Sequence, residues 1–255
     1  EAVAAGEADG EVTVEARPYP EADAVRAGGE TVGAPDEAES VTVSGDALLV
    51  AAGRRPNTDS LNLNATGVET DADGFVETDE YLRTDAEGVW ALGDVVGEYL
   101  LKHSANHEAK AVVRNLLGDE PEPVDYSAMP FAVFASPEVA GVGAREQDLR
   151  EADVEYATNT YAYEETARGS AMHADGFVKV LIGLDGNIEG CHIIGPEASN
   201  LIEEVVVAMT AGSGTVADIR DAVHIHPALS EVVDRAFSGQ FSRGGGHDHG
   251  HHHHG

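Results

Sequence analysis

Apolar residues recur along this chain at two different periods. After residue 227, Leu229, Val232, Val233, Ala236 and Phe237 stand at i, i+3, i+4, i+7 and i+8, the spacing of a helix with one buried stripe. Pro227 suits the first helical position, where its missing N–H costs nothing, so the pattern predicts a helix opening there. Residues 197–211 repeat the period with Leu201, Ile202, Val205, Val206 and Met209 inward, and Gly212 closes the run. Thr215 is placed to cap a short helix ending near Ala222. A further helix is expected from the segment after Leu100 to Leu117, stopped by Gly118.

Alternating and continuous apolar runs give the strands. They fall at 131–135, 139–142, 155–162, 176–182 and 188–194, with Asp185-Gly186 as a hairpin turn between the last two. Val12-Thr13-Val14 and Val41-Thr42-Val43 are short strands flanking a Pro/Gly-rich loop over 17–35. The run 47–52 (ALLVAA) fits a buried strand, ended by the polar turn 53–58, and a second strand is expected at 89–92. Pro121-Glu122-Pro123 has the composition of a linker. The fold class expected is α/β followed by α+β with an antiparallel sheet. From 244 to 255 the chain is Gly/His-rich and expected to be disordered.

Charge narrows the function. Asp and Glu number 47 against 15 Lys and Arg, a formal net charge of -32, which repels a phosphate backbone and argues against nucleic acid. The acidic residues are spread along the chain, and lysine occurs only at Lys102, Lys110 and Lys179. That balance suits a protein kept soluble at high salt, where screening weakens self-repulsion; an ordinary acidic cytosolic protein is the plainer reading. No run reaches the roughly 18 apolar residues of a membrane span, and no signal peptide opens the sequence, so no membrane is expected as a partner and the location expected is cytoplasmic. The one cysteine, Cys191, lies within the apolar strand at 188–194 and is expected to act as a small buried hydrophobe.

Two stretches carry candidate chemistry. In His224-Ile225-His226-Pro227-Ala228-Leu229-Ser230-Glu231, a carboxylate five residues after His226 can hold its ring and fix the tautomer, as a general acid–base histidine needs. The same spacing also fits a helix cap beside a surface charge. In Thr84-Asp85-Ala86-Glu87-Gly88-Val89-Trp90-Ala91-Leu92-Gly93-Asp94, Gly93 lets a backbone approach a ligand. Asp94 stands at a strand's carboxyl end, where open α/β sheets bind ligands; a simple turn is the alternative. His103 and His107 have the i, i+4 spacing of metal ligands, but no third ligand is near in sequence and no metal is assigned.

Taken together, these stretches resemble the class I flavoprotein disulfide reductases, a family that includes dihydrolipoamide dehydrogenase, glutathione reductase, mycothione reductase and mercuric reductase. The octapeptide 224–231 resembles its C-terminal signature. The resemblance implies that His226 and Glu231 are an acid–base pair acting on a redox disulfide of the other subunit of a homodimer. Residues 84–94 look like its second flavin fingerprint, implying that Asp94 holds the ribityl chain of FAD beside Gly93. Leu101, Lys102 and His103 then open a helix aimed at the flavin's pyrimidine edge, where the helix dipole favours negative charge. The segment 53–57 (GRRPN) matches the return from nucleotide to flavin domain, and Gly141-Val142-Gly143 and His192-Ile193-Ile194-Gly195 are landmarks of the interface domain. On this reading 1–52 ends an NAD(P)-binding domain, 53–120 ends an FAD domain and 124–243 is a dimerisation domain.

The form LKHSANHEA at 101–109 resembles mycothione reductase more than dihydrolipoamide dehydrogenase. The resemblance therefore implies an NAD(P)H- and FAD-dependent reductase of a small-thiol disulfide, of mycothione or bis-γ-glutamylcystine type. Dihydrolipoamide dehydrogenase is the alternative. Mercuric reductase ranks lower, because that enzyme carries a C-terminal cysteine pair. The redox cysteine pair and first flavin motif of the family are missing from the sequence, so the chain is expected to be the C-terminal portion of a longer enzyme, inactive alone. A non-catalytic dimerisation fragment is the other class.

Overall fold

A computed structural model describes residues 2–8, 11–16, 41–51 and 53–244, and the side chains of 12–15, 41–51 and 53–244. The expected loop at 17–35 lies outside the described residues. The chain divides into two compact units, 1–124 and 125–255.

In the first unit, β1 (Ala2–Ala8), β2 (Glu11–Ala16) and β3 (Val41–Gly45) form an antiparallel sheet in that order, with Val14 opposite Val43. Both expected valine–threonine strands are present within β2 and β3. The alanine-rich β1 was not foreseen, because its sequence carries little β-propensity. Two other expected strands are corrected. Residues 47–51 form no strand, with Leu49 89% and Val50 73% exposed, and Ala52 lies outside the described residues. The stretch 89–92 holds one isolated bridge, Trp90 to Arg83. A sheet-core strand takes its hydrogen bonds from neighbours on both sides, and among the described residues no strand runs beside either segment. Asx turns shape this region instead: Asp71 accepts the Asp73 and Phe75 N–H groups, and Asp79 those of Tyr81 and Arg83. Helix α1 (Lys102–Leu117) then buries Ala111 and Val112 and ends at Gly118.

The second unit is an antiparallel six-stranded sheet carrying helices. Its strands are β4 (Phe131–Val133), β5 (Val139–Gly143), β6 (Tyr156–Ala162), β7 (Phe177–Gly183), β8 (Ile188–Ile194) and β9 (Ser242–Gly244), in the order β4-β5-β8-β7-β6-β9. The five strands expected here are all present. Asp185-Gly186 makes the hairpin turn, with the Gly183 N–H bonded to the Asn187 carbonyl and Gly186 at φ +88°. Opposite Leu181 and Ile182, β8 bulges at Glu189, and the slipped alternation places both Ile188 and Cys191 in the core. Cys191 is fully buried, and burial pushes its thiol up, which withholds the thiolate.

Helices α4 (Ala198–Ala211) and α6 (Glu231–Ser238) pack on the sheet: α4 against β5 and β8, α6 against β6 and β7. Ile202 and Val205 from α4, and Val232, Val233, Ala236 and Phe237 from α6, meet Val142, Val178, Val180 and Ile193 in one core. Leu201, Val206, Met209 and Leu229 pack at its edge, so both helical stripes lie as their periods predict. The short helices α2 (Glu146–Glu151) and α3 (Ala167–Met172) were not foreseen, being too short for a periodic signal. Helix α5 (Val216–Arg220) follows Thr215, whose N–H bonds the Asp218 carboxylate. Gly244, expected to begin the disordered tail, is the last residue of β9 on the edge of β6; residues 245–255 lie outside the described residues. No described helix is long and apolar enough to cross a membrane.

Candidate functional site

The segment between α5 and α6 brings His226 and Glu231 together. The expected helix start at Pro227 is corrected: the His226–Pro227 peptide is cis, residues 227–230 form turns, and α6 begins at Glu231 with Ser230 as its N-cap. Glu231 is therefore the first residue of the helix, and its carboxylate folds back over the turn. Nδ1 of His226 lies 2.8 Å from Oε1, and Oε2 accepts the Ala228 N–H at 3.0 Å. The turn is held from behind as well, since Val232 N–H reaches the Leu229 carbonyl at 2.9 Å.

The two partners differ sharply in exposure: the Glu231 side chain is 11% exposed and that of His226 69%. The carboxylate is anchored and the ring reaches outward from it. The hydrogen bond from His226, with the Ala228 N–H behind it, holds the Glu231 carboxyl below the usual carboxylate range, burial opposing. An ionised Glu231 accepts the Nδ1 proton, which leaves Nε2 as the outward-facing atom that takes or delivers a proton.

A second histidine–carboxylate pair stands behind the first. His224 Nε2 lies 3.0 Å from Oε2 of Glu204 on α4. Sequence reasoning assigned neither residue a role; the available signals were a histidine two positions before His226 on an extended segment and a glutamate within the apolar period of α4.

In the first unit, Gly93–Val95 is a single 3-10 turn rather than the end of a strand. Gly93 has φ +76°, a conformation that favours glycine, and a Cβ there would come to 3.2 Å of the Ala105 Cβ on α1, a tight approach of turn and helix. Its N–H is fastened to the Glu108 carboxylate. Asp94 pairs with Arg54 and keeps about half its side chain exposed, 49%, on a cleft of about 460 Å³ lined also by Arg55, Asn57 and Phe75. Leu101 is the N-cap residue of α1 and no side chain caps the helix; Lys102 bonds to Asn106, and His103 follows it in the first turn. The structure thus brings Gly93 and Asp94 beside α1. Arg54 and Glu108 are contributors that sequence reasoning did not single out, because their partners are 40 and 15 positions away.

Comparison with known proteins supplies a frame for these arrangements. Residues 11–111 match the pyridine nucleotide-disulphide oxidoreductase family model, and 129–237 match that family's dimerisation domain. Dihydrolipoyl dehydrogenase 3 of Haloarcula marismortui is 38% identical over 198 residues, 77% of this chain and 41% of the relative. Mycothione reductase of Mycobacterium tuberculosis is 41% identical over 208 residues, 79% of this chain and 45% of the relative. Among solved structures, LpdA from M. tuberculosis superposes with a TM-score of 0.76 at 24% identity, over 93% of this chain and 47% of that one. The HOCl-induced flavoprotein disulfide reductase RclA from Escherichia coli gives 0.75 at 24%, over 93% and 50%. The chain spans less than half the length of these curated relatives.

Proposed function

Because the chain belongs to the pyridine nucleotide-disulphide oxidoreductases, we propose that it supplies the acid–base half of an FAD- and NAD(P)H-dependent disulfide oxidoreductase site. The observation that carries this is the 2.8 Å contact between His226 and an anchored Glu231, with the ring open outward. In the substrate-reducing direction, a thiolate attacks the substrate disulfide and Nε2 of His226 protonates the departing thiolate. In the other direction the same nitrogen accepts the proton of a dithiol. Glu231 holds the ring by its Nδ1–H, so that Nε2 carries the transferable proton when the ring is the acid and stands bare when it is the base. The dimerisation-domain match supports a homodimer, in which His226 serves a cysteine pair on the partner subunit.

FAD, when bound, supplies the electron transfer between nicotinamide and thiols. The residues present fit it: Asp94 offers a half-exposed carboxylate to polyol hydroxyls on the cleft, Gly93 leaves its turn free of a Cβ, and Leu101, Lys102 and His103 open α1 without a side-chain cap. Replacing Asp94 with Ala in the full-length protein is expected to lower the flavin retained after purification and dialysis. Flavin content equal to the parent's excludes this role.

The substrate reading is a small-thiol disulfide of mycothione or bis-γ-glutamylcystine type, supported by the form of 101–109 and the mycothione reductase relative. Dihydrolipoamide is the second reading, favoured by the dihydrolipoyl dehydrogenases among the relatives, two of them from Haloarcula marismortui and Halobacterium salinarum. Steady-state assay of the full-length protein on both classes in multimolar salt decides between them. The first reading requires kcat/KM at least tenfold higher for the small-thiol disulfide, and the reverse order selects the second.

A further inference from the structure

His224 and His226 are two positions apart, and their side chains go opposite ways. His226 turns outward to Glu231 on α6, while His224 turns inward to Glu204 on α4. His224 is 10% exposed, whereas its neighbours Val223 and Ile225 are 99% and 77% exposed. Every residue from Asp221 to Pro227 except His224 is exposed, so His224 is the side chain of this stretch that reaches inward to the body of the unit.

The tie has a defined polarity. His224 Nδ1 and Glu204 Oε1 are buried without a hydrogen-bond partner among the described residues. A proton on Nδ1 would be a buried donor without an acceptor, which costs more than a bare lone pair there. The ring's N–H is therefore at Nε2 and donates to Glu204. Burial pushes the Glu204 carboxyl up, with the His224 hydrogen bond working against it and Asp234 on α6 adding repulsion. At the neighbouring pair, Arg235 on α6 favours the charge on Glu231. A partly buried pair, with Glu204 30% exposed and two polar atoms orphaned, is a poor way to gain stability, since apolar residues of similar volume often do as well or better. Its value lies elsewhere.

We propose that Glu204 and His224 are positioning residues, which tie the 221–227 stretch to α4 so that Nδ1 of His226 stays on Glu231. This inference rests on the acid–base reading of His226 and extends it to α4. Without the tie, the exposed stretch moves, the His226–Glu231 contact opens, and the His226 ring returns to the mixture of tautomers it has in water.

The test is made on the full chain in multimolar salt, with ¹⁵N-labelled histidine and ¹³C-labelled glutamate. His226 signals are assigned by their loss in His226→Gln and Glu231 signals by their loss in Glu231→Gln. In the parent chain, His226 shows its proton on Nδ1. In Glu204→Leu, that Nδ1–H signature is expected to be lost and the Glu231 titration midpoint to rise toward the ordinary carboxylate value. Core amides such as those of Val180 and Cys191 should stay protected from exchange. Glu204→Gln, whose amide oxygen still accepts from His224, should restore the parent signature. The double variant Glu204→Leu/His224→Phe has no orphaned polar atom and keeps the test decisive if Glu204→Leu alone unfolds; it too should lose the signature. An unchanged His226 tautomer in the leucine variants, or failure of Glu204→Gln to rescue, overturns the proposal. These readouts need no turnover, so they are separate from failure of the acid–base role, which turnover of the His226→Gln enzyme detects.

Discussion

His226→Gln in the full-length protein is expected to slow the half-reaction with disulfide or dithiol by about 10²–10⁴-fold, the usual contribution of a general acid–base group. Flavin content and the half-reaction with NAD(P)H should be unchanged, because the Asp94 cleft is built from other residues. Glu231→Gln should cost less, since the ring remains and the Ala228 N–H still finds an acceptor. Rapid-mixing measurement of the two half-reactions separates these effects. A purely structural histidine predicts a different result, a stability loss of roughly 1 kcal/mol with normal turnover, as for a lost cap. The geometry disfavours that reading: Ser230 is the N-cap of α6, and the His226 side chain is the more exposed member of its pair.

Phe237→Ala is the second large effect, and it is measurable on the chain itself. Phe237 is 1% exposed and closes the core between α6 and the sheet, beside Val232, Val233 and Ala236. Truncating a buried phenylalanine removes its transfer free energy and leaves a cavity, together about 3–5 kcal/mol. Native-state hydrogen exchange at the Val180 and Cys191 amides reads this loss within the second unit without requiring the whole chain to unfold in one step. Ile225→Ala, at a side chain 77% exposed, should change the same amides by less than about 0.5 kcal/mol. Equal effects for the two substitutions would mean that α6 does not close this core.

The second unit was the more legible in the sequence, for a physical reason. Its strands pair with each other and its helices cover their sheet, so alternation at 177–183 and the 3.6-residue stripe at 229–237 each find a partner within the same stretch of chain. The runs 47–51 and 89–92 carry equally strong apolar patterns. They failed as strands because, among the described residues, no strand runs beside either one to extend the ladder past the single Trp90–Arg83 bridge. Period alone also misplaced the start of α6. Pro227 satisfies the rule for a first helical position, yet the carboxylate of Glu231 reaching back to the Ala228 N–H favours a start four residues later. Within the site, the His226–Glu231 contact was legible because both partners lie within five residues. The Glu204–His224 and Arg54–Asp94 pairs were not, since separations of 20 and 40 residues leave no local pattern.

The proposed action of His226 on a cysteine pair of the other subunit is open to a subunit-exchange experiment. Two inactive full-length variants are needed, His226→Gln and one lacking the redox cysteines, differently tagged so that mixed dimers can be isolated. The measurement is disulfide reduction by those mixed dimers in multimolar salt, where a charge of -32 per chain is screened and subunits stay associated. Activity is expected to return to about half the parental value per dimer, because one of the two sites regains both an intact histidine and an intact cysteine pair. Mixed dimers as inactive as either parent would contradict it.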